Sequence, residues 1–222
     1  MAKTDFVGNF KADKKIQEAY SGDLSSSTVS PQLAYNKDCL YFNEEQKQIW
    51  FWGRIYGMEK LATQYSIRFV NEADFMLQLY LKKGIDIVRR IDGEFTFIIT
   101  NDTKTLVCRD RHGAGPQFFY SSEFFSSNLF EFRNFNSFTP EPDYHALTTF
   151  LSIGYIPSPQ SSLKGVQKLG AGFFLTIKDG VQVEKDMFGY QEFLNSNNSC
   201  KMSIGDATAE YERLHKEAIE AR

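Results

Sequence analysis

Apolar, β-branched and aromatic runs joined by very short polar turns constrain this chain more than any other feature. Phe95 to Thr100 (FTFIIT) is followed by Thr105 to Asp110 (TLVCRD) across Asn101-Asp102-Thr103-Lys104. Phe173 to Ile177 is followed by Val181 to Val183 across Lys178-Asp179-Gly180. Connections this short join antiparallel neighbours, because a parallel return needs a crossover of roughly a dozen residues. An Asp-Gly pair between apolar runs is itself a strong hairpin signal. With helical segments inserted between such pairs, the pattern predicts an α+β layered fold rather than a doubly wound parallel sheet.

Further elements fit that frame. Phe6 to Phe10 is a short strand candidate, and Ser21 to Gln32 (SGDLSSSTVSPQ) is a loop. LAYNKDCLYF and QIWFWGRIY each predict a strand, separated by the polar Asn-Glu-Glu-Gln-Lys turn. Glu72 to Lys83 carries Phe75, Met76, Leu79 and Tyr80 at helical spacing. Asn71 is placed to cap its start, acids occupy its first turn, lysines its last, and Gly84 stops it. IDIVRR predicts a second short helix, QFFYSS and NLFEFRNF a strand-turn-strand, and DYHALTTFLSIGYIP a helix running to about Ser152. Residues 194–203 form a polar linker, and the last stretch places Ala207, Tyr211, Leu214 and Ala218 on one helical face. The expected organisation is one domain over 1–193, the linker, and 204–222 as the first helix of a further domain in a longer protein.

Composition enters mainly by exclusion. Apolar residues make up 42% of the 222, with 21 Phe and 11 Tyr, enough for a substantial core. The net charge of −3 comes with Lys and Arg scattered singly, so no basic stripe for nucleic acid is present. No segment approaches the ~20 apolar residues of a membrane span, and no signal-peptide run opens the chain. Cys39, Cys108 and Cys200 lack paired spacing, so no disulfide frame or metal site is expected. The chain reads as a cytoplasmic protein.

The densest local signal is RDRHGAGPQFFY, Arg109 to Tyr120. Asp110 stands between Arg109 and Arg111, which predicts a charge-assisted knot. Gly113 and Gly115 permit backbone angles that other residues avoid, and Pro116 fixes the entry into the next strand. The bland reading is a structural turn; the functional one is a face presented to a partner domain.

Glu72 to Tyr120 resembles the N-terminal glutamine amidotransferase domain of asparagine synthetases. The matching residues are Leu79-Tyr80, Lys83-Gly84, Asp92-Gly93-Glu94-Phe95-Thr96-Phe97 and Arg109 through Tyr120. LSIGYIPSPQSSLKGVQKLGAGFFLTI is similar to a later segment of that family, so the likeness runs through most of residues 4–188. It implies an Ntn-hydrolase-like four-layer αββα sandwich of two mainly antiparallel sheets.

The resemblance also implies an active site, and here the chain departs from it. Active members open with a cysteine whose free amine is the general base; alignment on Gly8 puts Thr4 at that position, behind Met1-Ala2-Lys3. The family's oxyanion Asn-Gly corresponds to Trp52-Gly53, and loss of such a donor typically costs ~10²–10³ in rate. The carboxylate-clamping arginine aligns with Lys37, which lacks the bidentate fork. The aspartate that holds the substrate amine aligns with Glu72. Thr4, Lys37, Trp52, Gly53 and Glu72 thus form a vestigial glutamine pocket, with Trp52 expected to fill it and Lys37 or Arg54 expected to neutralise Glu72.

The expectation is therefore a degenerate amidotransferase domain that serves as a scaffold for an ATP-dependent amide-forming domain, as in β-lactam synthetases and lasso-peptide cyclases. ATP and Mg belong to that downstream domain alone, since no Ser-Gly-Gly-x-Asp-Ser loop occurs here. The expected partner is the synthetase-like domain of the same polypeptide, and a homodimer is compatible with the sequence. Two alternatives stay open. One is an active Ntn hydrolase using Thr4 after removal of Met1-Ala2-Lys3; the other is a free-standing interaction module.

Overall fold

The structure, a computed structural model, describes residues 4–10, 25–26, 31–44, 46–101, 103–178, 181–187 and 202–220. Its first sheet contains β1 (Phe6–Asn9), β2 (Ser25–Ser26), β3 (Gln32–Tyr35), β8 (Phe119–Tyr120), β9 (Phe124–Ser126) and β10 (Gln167–Lys168), in the order β10-β8-β9-β1-β3-β2. The second contains β4 (Leu40–Glu44), β5 (Lys47–Ile55), β6 (Gly93–Thr100), β7 (Lys104–Arg109), β11 (Phe173–Lys178) and β12 (Val181–Met187), in the order β12-β11-β7-β6-β5-β4. Every strand pairing among the described residues is antiparallel. Both predicted hairpins form: Thr100 pairs with Thr105, and Lys178 with Val181.

Side-chain alternation along β5 explains how the layers stack. Ile49 and Phe51 point to the outer face of the second sheet, while Trp50 and Trp52 point between the sheets. The outer face is covered by α1 (Met58–Tyr65) and α2 (Glu72–Lys83), with Phe75, Met76 and Leu79 packed on Phe51, Phe97 and Cys108. The inter-sheet core joins Phe6, Leu33, Phe118 and Phe125 from one side to Trp50, Trp52, Ile98, Val107 and Leu175 from the other. Behind the first sheet, Val7, Ala34 and Phe124 meet Phe132 and Phe135. The order is helix, sheet, sheet, and then a cover that includes the 3₁₀ turn Leu129–Asn134; α3 (Tyr144–Ile153) follows that turn in the chain.

Helix α2 matches its expected bounds. The Asn71 side chain accepts a hydrogen bond from the Asp74 amide at 3.0 Å, and the Gly84 amide closes the last turn on Tyr80 O. α3 likewise has Asp143 as its cap and ends at Gly154.

Two local expectations are corrected, at LAYNKDCLYF and at NLFEFRNF. LAYNKDCLYF is two strands in different sheets, because the turn at Asn36–Cys39 carries the chain from β3 to β4. The short helix expected at IDIVRR forms, as a 3₁₀ helix, Ile85–Arg90. NLFEFRNF is also 3₁₀, and the return strand is Phe124–Ser126 instead. α1 was not expected at all. Residues 188–201, most of the expected linker, and most of 11–30 lie outside the described residues. α4 (Ile204–Glu220) follows, and none of its described residues is buried. No helix among the described residues is long and apolar enough to cross a membrane.

Candidate functional site

β1 is a central strand, paired with β3 on one side and β9 on the other. This places Thr4, two residues before it, where the first sheet receives three segments at once. The Thr4 hydroxyl donates to Glu131 Oε1 at 2.7 Å and accepts from Asn128 Nδ2 at 3.2 Å. Ser127 Oγ accepts from the Asp5 and Phe6 amides at 2.7 and 3.2 Å. Asn36 completes the cradle: its amide donates to Asp5 O at 2.9 Å and its side chain to Asp5 Oδ1 at 2.8 Å. The Thr4 hydroxyl thus spends its one proton and accepts one of the two bonds open to it.

The remaining expected residues divide into neighbours and outliers. Trp52 is 2% exposed, with its ring centroid 4.6 Å from that of Phe6. It lies in the inter-sheet core, and its buried Nε1 has no hydrogen-bond partner. Gly53 next to it has φ +117°, and a Cβ there would sit 1.9 Å from Glu94 O, so only glycine fits. Lys37 is exposed on the turn after β3, one residue beyond Asn36. Asn36, the neighbour of Lys37, bonds Asp5, and Phe6 packs on Trp52, so both positions connect to the strand that follows Thr4. Glu72 opens α2 on the far side of the second sheet. Neither Lys37 nor Arg54 pairs with Glu72 among the described residues, contrary to expectation; both cations are exposed, where an ion pair is worth little against solvation.

The bend is also built differently from the expected knot. Asp110 is fully buried, and its carboxylate accepts from the amides of His112 (2.9 Å), Ala114 (3.1 Å), Gly115 (2.8 Å) and Phe95 (3.3 Å). Arg109 turns its guanidinium to carbonyls instead: Leu169 O at 2.9 Å, Gly113 O at 2.9 Å and Gly115 O at 3.3 Å, with Gln117 Oε1 at 3.1 Å. Arg111 donates to Arg89 O. The charges serve backbone groups that a tight bend leaves without ladder partners. Burial lowers the Arg109 pKa, and the Asp110 charge opposes that shift. The bend also packs on β6: Pro116 O accepts from Thr96 Oγ1 at 2.7 Å, and a Cβ on Gly115 would meet Phe95 C at 2.3 Å. At Gly113, φ is +70°, in the left-handed region.

A model of the glutamine amidotransferase domain matches residues 33–188. The chain belongs to the glutamine amidotransferase domain family. The amidotransferase domain's matched stretch begins at β3, so Thr4 and β1 lie outside it and enter through their pairing with β3. A protein of Methanocaldococcus jannaschii named for asparagine synthetase [glutamine-hydrolyzing] 2 is 30% identical over 165 residues, 67% of this chain and 32% of that protein. A Mycobacterium bovis protein of like name is 28% identical over 144 residues, 58% of this chain and 22% of that protein. The chain spans about a third or less of the length of these curated relatives. The glutamine phosphoribosylpyrophosphate amidotransferase structure from B. subtilis aligns over 83% of this chain and 43% of its own, at 12% identity and TM-score 0.46.

Sequence reading missed Ser127, Asn128 and Glu131. Thr4 and Glu131 lie 127 positions apart, and no local pattern announces such a contact. The only available cue was Asn128 as a cap, since its side chain accepts from the Phe130 amide.

Proposed function

We propose that this amidotransferase domain has lost glutamine hydrolysis and is kept as a scaffold within an asparagine-synthetase-like protein. The observation that carries the reading is Thr4. It stands where active members of the resembling family have their nucleophilic cysteine, its nitrogen is in the peptide bond to Lys3, and its hydroxyl is held by Glu131 and Asn128. An Ntn nucleophile needs its own free amine as base. Trp52 supports the same reading. With its indole in the inter-sheet core, it offers no amide to an oxyanion beside Gly53.

The longer protein would couple a carboxylate to an amine at the expense of ATP. The carboxylate attacks the α-phosphate, pyrophosphate leaves, and the amine then displaces AMP from the acyl-adenylate. ATP and Mg would be held by the downstream domain, with ammonia or another amine in place of glutamine nitrogen.

The competing reading, an active hydrolase with Thr4 as nucleophile, draws on the 2.7 Å bond to Glu131, which gives the hydroxyl proton an acceptor. It requires a chain that starts at Thr4. Intact-mass measurement of the purified protein separates the two. A mass beginning at Met1 or Ala2 is expected, and a mass beginning at Thr4 would overturn the proposal.

A further inference from the structure

We propose that α3 and the groove beside its start form the docking face for the synthetase-like domain of the same polypeptide, an inference that rests on the function proposed above. Surface helices ordinarily turn charged residues outward and an apolar stripe inward. α3 does the reverse. Between Tyr144 and Ile156 no Asp, Glu, Lys or Arg occurs. Ala146 is the helix's one buried residue, whereas Leu151 is 83%, Tyr144 71% and Tyr155 60% exposed.

The apolar surface continues past the helix. A groove of about 220 Å³ is walled by Leu129, Phe130, Pro140 and Leu163, with Phe130 69% exposed. It adjoins α3 because the Asp143 amide bonds Ser162 O at 2.9 Å and Pro142 bridges Leu163. Arg133 and the Glu141–Lys164 pair border it, giving an apolar centre with a charged margin. That is the anatomy of a protein interface rather than of a free surface.

The occupant follows from length and from α4. The curated relatives are about two to three times as long as this chain, so a further domain is available to cover the face. α4 exposes Ile204, Tyr211 and Leu214 and buries nothing, so it also requires cover. One downstream domain accounts for both bare faces. Self-association through α3 accounts for one.

The test is hydroxyl-radical footprinting of Tyr144 and Tyr155 in the 222-residue chain and in the product of the complete reading frame. Labelling of both tyrosines should fall about tenfold in the longer protein, as packing at an interface core reaches interior density. Leu151→Asp should restore labelling there without shifting the thermal midpoint of the 222-residue chain, and Val70→Asp, at another exposed apolar position, should change neither. Equal labelling in the two proteins would overturn the proposal, as would a reading frame that closes at Arg222. Concentration-dependent protection in the 222-residue chain, abolished by Leu151→Asp, would assign the face to a second copy and overturn it too. Glutamine hydrolysis would overturn the proposed loss of activity without touching the footprint. Equal labelling in a non-hydrolysing protein would remove the docking face alone.

Discussion

Asp110 shows how residue-scale chemistry holds this fold. Four backbone amides from two segments converge on one buried carboxylate. Asp110→Asn exchanges a charged double acceptor for a group with one acceptor oxygen and two donors aimed at donors. Bonds to a charged group are worth ~1.5–3 kcal/mol each, so urea unfolding should show a loss of at least about 2 kcal/mol. A midpoint equal to wild type would mean that the amides find water instead. Gly53→Ala should cost about as much or more, because φ +117° and the Glu94 carbonyl both reject a Cβ. The charges of the bend were legible in sequence, but their partners were not. Adjacent residues point in different directions along an extended chain, and a letter string does not reveal where backbone amides aim. The expected arginine–aspartate knot therefore became two separate sets of backbone contacts.

Elements were legible where several local signals agreed. α2 has period, cap, charge order and stop all in register, and its bounds matched. Asn71→Ala should cost ~0.5–2 kcal/mol, measured by thermal or urea unfolding; no change would show that Asp74, which accepts from the Val70 amide at 2.8 Å, carries the cap without it. NLFEFRNF misled because Phe130 and Phe132 alternate as in a strand. The buried set is instead Phe132 and Phe135, with Leu129 packed alongside, a spacing of three that suits a 3₁₀ turn. LAYNKDCLYF misled because both halves suit strands, and only the turn-forming Asn36-Lys37-Asp38 hinted that they part.

At the scale of the molecule, the antiparallel sandwich was legible because hairpin turns and the order of motifs over residues 4–188 are sequential features. The cradle around Thr4 was not, since β1, β3 and the segment after β9 meet only in three dimensions. Deleting 202–222 should leave the thermal midpoint of the rest unchanged, because α4 contributes no buried residue; a clear drop would show that it packs on the domain. Stability should also fall at alkaline pH. Burial raises Tyr120 from 10.0 to about 12 and raises Cys108 as well. The folded state then holds these protons more tightly than the unfolded chain, so stability is full below the unfolded values and declines as pH climbs from 9.0, where a free thiol titrates, toward 12. Urea midpoints that stay level across that window would contradict the burial of these groups.

The central claim, that the fold has outlived its glutaminase chemistry, is tested most directly by incubating the purified 222-residue protein with glutamine and measuring glutamate. The account predicts no release above the buffer rate, and the same null result for Thr4→Ala. Turnover by the wild-type chain that Thr4→Ala abolishes would contradict it.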